Sequence, residues 1–323
     1  MFTALPRGRL GPVLLLALAL GACGTNDEAS VGSLSLGLQS LAIDADGRWV
    51  AGDAGGAFVT GDDAGIHPRR GPDLQPITAL LWDGQRYLAL DYAVFADLYT
   101  NLRDQLLVSA DGRDWQVTRL DSIEEFTRLR QGAGRYLAVG MDGGLLVSDD
   151  GDNWTVTDSG LDDAFTGLLW DGSRFLASTT SGRVRHSGDG LLWDAPDPAA
   201  TQALNAVAWD GSGRYVAVGD AGAVVVSDDG DTWQPRASGS DRHLYDIAWG
   251  DGRFLAVGYW GTLLTSADGN DWTALDSGTE AVLKRVRWDE QGGRFLVVGL
   301  ESTVLELSAG SDRPRALAIE GDL

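Results

Sequence analysis

The chain is poor in the residues from which most chemical centres are built. Among 323 residues there is one Cys and there are three His, at 67, 186 and 243. A single Cys cannot close an internal disulfide, and these few scattered ligands do not make the usual zinc sites. Basic charge is also short: 25 Lys and Arg against 47 Asp and Glu leave a net charge of −22. Such a surface repels phosphate backbones, which argues against nucleic acid as a partner. Beyond the first residues no apolar run is long enough to cross a bilayer as a helix. No Gly-rich phosphate loop opens a helix, and the Asp-rich stretches lack EF-hand spacing and its closing Glu. The sequence therefore calls for no metal and no cofactor.

What is abundant is Gly, at 44 residues, and Trp, at 12. Five of the Trp close a repeated stretch, Ser-x-Asp-Gly-x-x-Trp. It occurs at Ser109–Trp115, Ser148–Trp154, Ser187–Trp193, Ser227–Trp233 and Ser266–Trp272, with Trp spacings of 39, 39, 40 and 39. A fixed period of this length marks a repeat architecture. The chemistry is that of a hairpin turn: Ser and Asp oxygens accept from backbone N–H groups, Gly takes a positive φ, and Trp packs across the hairpin. Asp152 sits at a variable position of the stretch and reads as an ordinary surface residue.

Seven repeats begin near Leu38, Ile77, Phe126, Phe165, Leu204, Leu244 and Leu283. Each parses into four short strands separated by Gly-rich or Asp-Gly turns. The second strand opens on Arg-aromatic every time, from Arg48-Trp49 to Arg294-Phe295, so this pair is a structural position. Four strands about every 39 residues is the pattern of a propeller blade. The expected fold is all-β: a seven-bladed β-propeller of four-stranded antiparallel blades over residues 38–323. The end repeats are worn. Asp63 and Ile66 stand where Gly and Trp recur, and the last repeat has lost both Asp and Trp but keeps a closing strand near Arg315–Ile319. Blade seven is thus expected to be complete from its own repeat, with little support for a strand exchanged from residues 31–37.

The repeated stretch resembles the Asp-box (BNR repeat) of bacterial sialidases and of many non-enzymatic propellers, including photosystem II assembly factors. The usual box is one residue longer, with a residue between Asp and Gly. A WD40 identity does not fit, because the Trp-Asp pairs end the first strand and no Gly-His dipeptide occurs. A sialidase needs three Arg on a carboxylate, a Tyr–Glu pair and an acidic Asp; the early Phe/Tyr-Arg-Ile-Pro motif of that family is absent. The resemblance implies a protein that binds another protein or helps a complex assemble. Its alternative is a glycan-binding protein or a glycoside hydrolase of the sialidase type.

Residues 1–22 read as a signal peptide, with Arg7 and Arg9 before a short apolar run. Leu20-Gly21-Ala22-Cys23 resembles the lipobox of bacterial lipoproteins, which implies cleavage before Cys23 and lipid attachment to it. Residues 23–37 are then the lipidated Cys and its tether. This predicts a bacterial cell-envelope protein held on a membrane through Cys23.

Function on a propeller is argued from its loops. Blade two carries an insertion, Asp91–Asp104, with Tyr92, Phe95 and Tyr99. The equivalent loop of blade six holds Tyr259-Trp260, and the linker into that blade ends at His243. By resemblance these loops share the funnel face, opposite the boxes. They form a candidate partner-binding surface for a protein or a sugar ring; equally, the insertion would fold on itself as a cap. Arg128 and Arg130 of blade three, with Arg285 and Arg287 of blade seven, lie on first strands and would line the central channel. They are a candidate anion channel, or else they pair with acids such as Asp246.

Overall fold

The computed structural model describes residues 35–62, 65–72, 74–92, 104–120, 122, 125–194 and 196–321. The signal peptide, Cys23, most of the tether, Phe95 and Tyr99 lie outside the described residues.

Seven antiparallel sheets follow one another around a closed ring. The innermost strands are Leu38–Ile43, Ile77–Trp82, Phe126–Gly132, Leu169–Trp170, Leu204–Trp209, Leu244–Gly250 and Leu283–Asp289. Each pairs with a second strand that is almost wholly buried, as Tyr215–Gly219 is in blade five. Burial on both faces explains why these strands read as continuous apolar runs. Between blades the apolar faces pack into seven clusters. One joins Phe254 and Ala256 of blade six to Val216 and Val224 of blade five. Another joins Leu38 and Trp49 of blade one to Leu296 and Val304 of blade seven, which closes the ring.

Among the described residues blade seven is built from its own repeat, with Arg315–Ala316 as its outer strand. The closure is fastened by Leu36 and Ser302. Leu36 N–H donates to Ser302 Oγ at 2.8 Å, and Ser302 N–H donates to Leu36 O at 2.7 Å. Leu317 and Ile319 then pack on the blade-one cluster, and Glu320 N–H donates to Ile66 O at 2.7 Å. Ile66, in the worn box, packs there in place of the recurring Trp.

The repeated turn has the chemistry read from its sequence. Gly151 (φ +78°) donates N–H to Ser148 Oγ at 2.8 Å, and Asp150 Oδ1 accepts from the N–H groups of Asp152 and Asn153 at 2.9 and 2.8 Å. Trp154 Nε1–H closes the turn on Gly151 O at 3.0 Å. These donors hold the Asp150 carboxyl well below its ordinary pKa, the Asn153 N–H first among them.

The recurring Arg also has a visible task. Arg86 of blade two donates to Asp152 Oδ1 at 2.7 Å and to Asp150 O at 3.1 Å, both in the turn of blade three. Arg174 of blade four holds Asp231 of blade five at 2.8 Å, and Arg253 of blade six holds Asp312 of blade seven at 2.8 Å. Each of these three Arg clamps the next blade's turn, whereas Arg48, Arg214 and Arg294 pair with acids of their own blades. Asp152 is therefore not the idle surface residue that its variable position suggested, because it is the acceptor of such a clamp.

Blade four departs from the pattern. Its sheet has three strands, and its inner strand is cut to Leu169–Trp170 plus a bridge from Phe165 to Thr179. The outer position is taken by an irregular segment containing Pro196 and Pro198, which have no N–H to give a ladder. Side chains substitute: His186 N–H donates to Asp194 Oδ1 at 2.7 Å and Arg183 Nε–H to Pro196 O at 2.9 Å.

Candidate functional site

The loops joining second to third strands, and those joining blades, share the face opposite the boxes. There each inner strand begins with an apolar residue followed by a bulge. The bulged residues are Gln39, Thr78, Thr127, Asn205, Tyr245 and Lys284, with Thr166 in the equivalent place of blade four. A bulge re-aims a side chain, and here it is aimed at the neighbouring blade. Thr78 Oγ1–H donates to Phe126 O at 2.6 Å, Thr127 Oγ1–H to Phe165 O at 3.4 Å, Thr166 Oγ1–H to Leu204 O, and Asn205 Nδ2–H to Leu244 O at 2.9 Å. In blade one the adjacent Ser40 does the same, donating to Ile77 O at 2.9 Å. Five blades are thus stitched to their successors around the channel mouth.

Blades six and seven vary the pattern. Blade six is joined to blade seven by the residue next to its bulge, Asp246, whose Oδ2 accepts from Val286 N–H at 3.1 Å, while the bulges themselves carry Tyr245 and Lys284, the chain's sole lysine. Lys284 Nζ lies 4.4 Å from the centre of the Tyr245 ring, a cation–π contact. Burial first, then Arg285 and Arg128, pushes the ammonium down to about 8. His243 stacks on Tyr245 at 6.4 Å and meets Tyr259 edge-on at 6.5 Å, and Tyr259 stacks on Trp260 at 6.3 Å. Arg242 covers the Trp260 ring at 5.3 Å and donates to Trp260 O at 3.0 Å. His243 is oriented by Asp220 Oδ1 at 2.9 Å.

The result is a track of aromatic and basic side chains running from the blade-six rim to the channel mouth. Its outer end is open, with Tyr259 43 % and Trp260 50 % exposed. Trp260 has φ +54°, a left-handed conformation in which a bulky residue is an outlier. The equivalent residue of blade five is Ala221, at φ +52°. Strain of this kind costs about 1–3 kcal/mol and persists where the surrounding fold enforces it.

His243, Tyr259 and Trp260 are thus brought together. Tyr92 belongs to blade two, where its N–H donates to Pro76 O at 3.1 Å and its half-buried ring lies near Glu125 and Asp104. Tyr245 and Lys284 were missed in the sequence, although aligning the residue after each repeat's first apolar position singles them out against Gln, Thr and Asn.

The four candidate channel arginines do meet. Arg128, Arg130, Arg285 and Arg287 line one narrow central cavity, of about 10 Å³ and so roughly one water in size, with Ser40, Thr78 and Thr127. One carboxylate faces them: Asp246 Oδ2 accepts from Arg287 Nη1–H at 2.7 Å and from Val286 N–H at 3.1 Å. Burial and the opposing guanidiniums lower Arg130 to about 9 and Arg128 well below its ordinary value. No tyrosine or glutamate lines this cavity among its described residues.

No family model and no curated protein matches the sequence. Two solved structures share the fold. YCF48 from Cyanidioschyzon merolae aligns at a TM-score of 0.66 and 16 % identity, covering 86 % of this chain and 97 % of that one. YCF48 bound to D1 peptide aligns at 0.68 and 14 %, covering 84 % and 92 %. At these identities the likeness establishes a fold in common: this chain is a seven-bladed propeller similar to YCF48.

Proposed function

We propose that this protein is a non-enzymatic binding or assembly platform that recognises a protein partner through the funnel face, at the junction of blades six and seven. It works at the bacterial cell envelope, tethered to a membrane through lipidated Cys23. One observation carries the reading. The series of bulge side chains that donate to the next blade's first carbonyl gives way to Tyr245 and Lys284, and an exposed aromatic track leads outward from that point. Trp, Tyr and Arg are the side chains that anchor protein interfaces, and this track holds all three types. The Lys284 ammonium at its inner end favours an acidic or carboxylate-bearing partner segment. A propeller of the same fold, YCF48, bound to D1 peptide supports a peptide segment as the kind of ligand such a fold accepts.

The test is site-specific photocrosslinking in cells. A crosslinker at position 260 is expected to trap one dominant protein, and a crosslinker at Val117, exposed on the outer strand of blade two, is not. With that protein purified, Trp260→Ala should weaken binding about thirtyfold, the effect of a 2 kcal/mol anchor. Equal trapping from both positions, or an unchanged dissociation constant, would refute the reading. Selective binding of a glycan at position 260 in place of a protein would transfer the site to the sialidase-like alternative.

A further inference from the structure

The channel carries more positive charge than its own acids balance. Arg128 and Arg130 come from the inner strand of blade three, and Arg285 and Arg287 from that of blade seven. The equivalent positions in the other five blades hold Ser, Ala, Gly or Leu, apart from Asp246. Small neighbours leave room for the guanidiniums to gather. Their bonds among the described residues go almost entirely to main-chain carbonyls: Arg128 to Thr127 O and Asn205 O, Arg130 to Leu129 O, Arg285 to Lys284 O, and Arg287 to Val286 O. A carbonyl accepts an N–H but cancels no charge. Only Asp246 does, and it faces four cations.

Arg128 is 8 % exposed and the other three are half-buried, so solvent screens this repulsion only in part. Like charges gathered in a narrow protein-lined space destabilise the fold unless they are compensated. Each guanidinium also has five N–H donors, far more than the carbonyls use. The surroundings make the compensation local, since the molecule as a whole is strongly acidic.

We propose that the channel holds a small inorganic anion, of halide size, between the guanidiniums of blades three and seven, and that this anion is part of the folded structure. The cavity holds about one water-sized sphere, which a monoatomic ion occupies with small shifts of the guanidiniums and which excludes a folded segment. The anion accepts charge-assisted N–H bonds from two opposite walls of the ring. It thereby joins blade three to blade seven, which no strand pairing does. This inference is independent of the partner surface on the rim.

The test uses the full chain, melted in sodium gluconate, whose body is too bulky for the cavity. Chloride or phosphate is titrated in at constant sodium and constant ionic strength. Chloride should raise the Tm saturably, and phosphate, which is larger than the space, should not. Arg130→Met should move the midpoint of that response to roughly tenfold higher concentration or more. In gluconate alone the variant should melt at or above the native chain, because it is relieved of one unpaired charge. Arg285→Met carries the same comparison if Arg130→Met does not fold, and the native titration decides by itself if neither does. A Tm that chloride does not raise saturably overturns the proposal. So does a rise whose midpoint is unmoved in the folding variant, because the ion then binds elsewhere.

Discussion

At the scale of the residue, the repeated turn separates what is local from what is not. The bonds from Ser148 and Asp150 span two or three residues, so spacing alone reveals them. The clamp on Asp152 comes from Arg86, 66 positions away, and nothing near Asp152 in the chain announces it. Trp154 is partly buried against Tyr136 and Val156. Trp154→Ala should therefore cost about 3 kcal/mol, at the low end for a large aromatic truncation. Asp152→Ala should cost about 0.5–1 kcal/mol, the value of one surface ion pair, and Arg86→Ala should make that second cost vanish when the two are combined. Denaturant melts of the three variants and the double variant check this. Additive losses for Asp152 and Arg86 would show that the clamp carries no energy.

At the scale of the element, blade four is the weak member. The sequence has its turn intact, from Ser187 to Trp193, and so predicts a fourth strand after it. Two prolines within a few residues withhold the N–H groups a ladder needs, and the edge is covered by side chains. His186 N–H is held by a carboxylate, whereas the equivalent Val226 in blade five pairs with Gln234 in a regular ladder. The His186 amide should exchange with solvent roughly tenfold faster than that of Val226, reflecting an opening energy about 1.4 kcal/mol lower. Hydrogen exchange read by NMR measures both. Equal protection would mean that the 194–199 segment holds the edge as firmly as a strand does.

The same scale explains what was legible at the candidate site. His243, Tyr259 and Trp260 were readable as aromatic or basic residues in loops. Tyr245 and Lys284 were not, because they stand inside strand sequences and matter only by failing to make a bond. Recognising that failure requires the register, the bulge and the bonds made by Thr78, Thr127, Thr166 and Asn205. Arg287 and Asp246 were legible as candidate partners, and they do pair. The excess of arginine over acid in the channel became visible only once the inner strands were arranged around one cavity.

At the scale of the whole molecule, the ring has two faces with separate work. One carries the turns and their Arg clamps, which bind blade to blade. The other carries the stitched mouth, the point where its bulge series gives way, and the proposed recognition track. The proposed tether lets such a molecule collect a partner at a membrane. Cys23→Ser should move the protein from the membrane to the soluble fraction, or leave it unprocessed with residues 1–22 attached. Stable anchoring takes more than one acyl chain, so loss of the Cys leaves nothing adequate. Fractionation that finds a mature, membrane-retained variant would remove the tether from the account.

The central claim is that the bulge side chains of blades six and seven give up the bond to the next blade's first carbonyl to gain a binding site. Tyr245→Thr reverses that exchange. Threonine at this bulge reproduces the residue of blades two and three, and its hydroxyl is placed to donate to the first carbonyl of blade seven, Leu283 O. A hydrogen bond of this kind adds about 1 kcal/mol. The measurement is one variant read two ways, by its Tm and by its dissociation constant for the protein trapped at position 260. The account predicts a Tm equal to or above that of the native chain together with binding weakened tenfold or more. Native affinity in a folded Tyr245→Thr variant, or a variant that no longer folds, would contradict it.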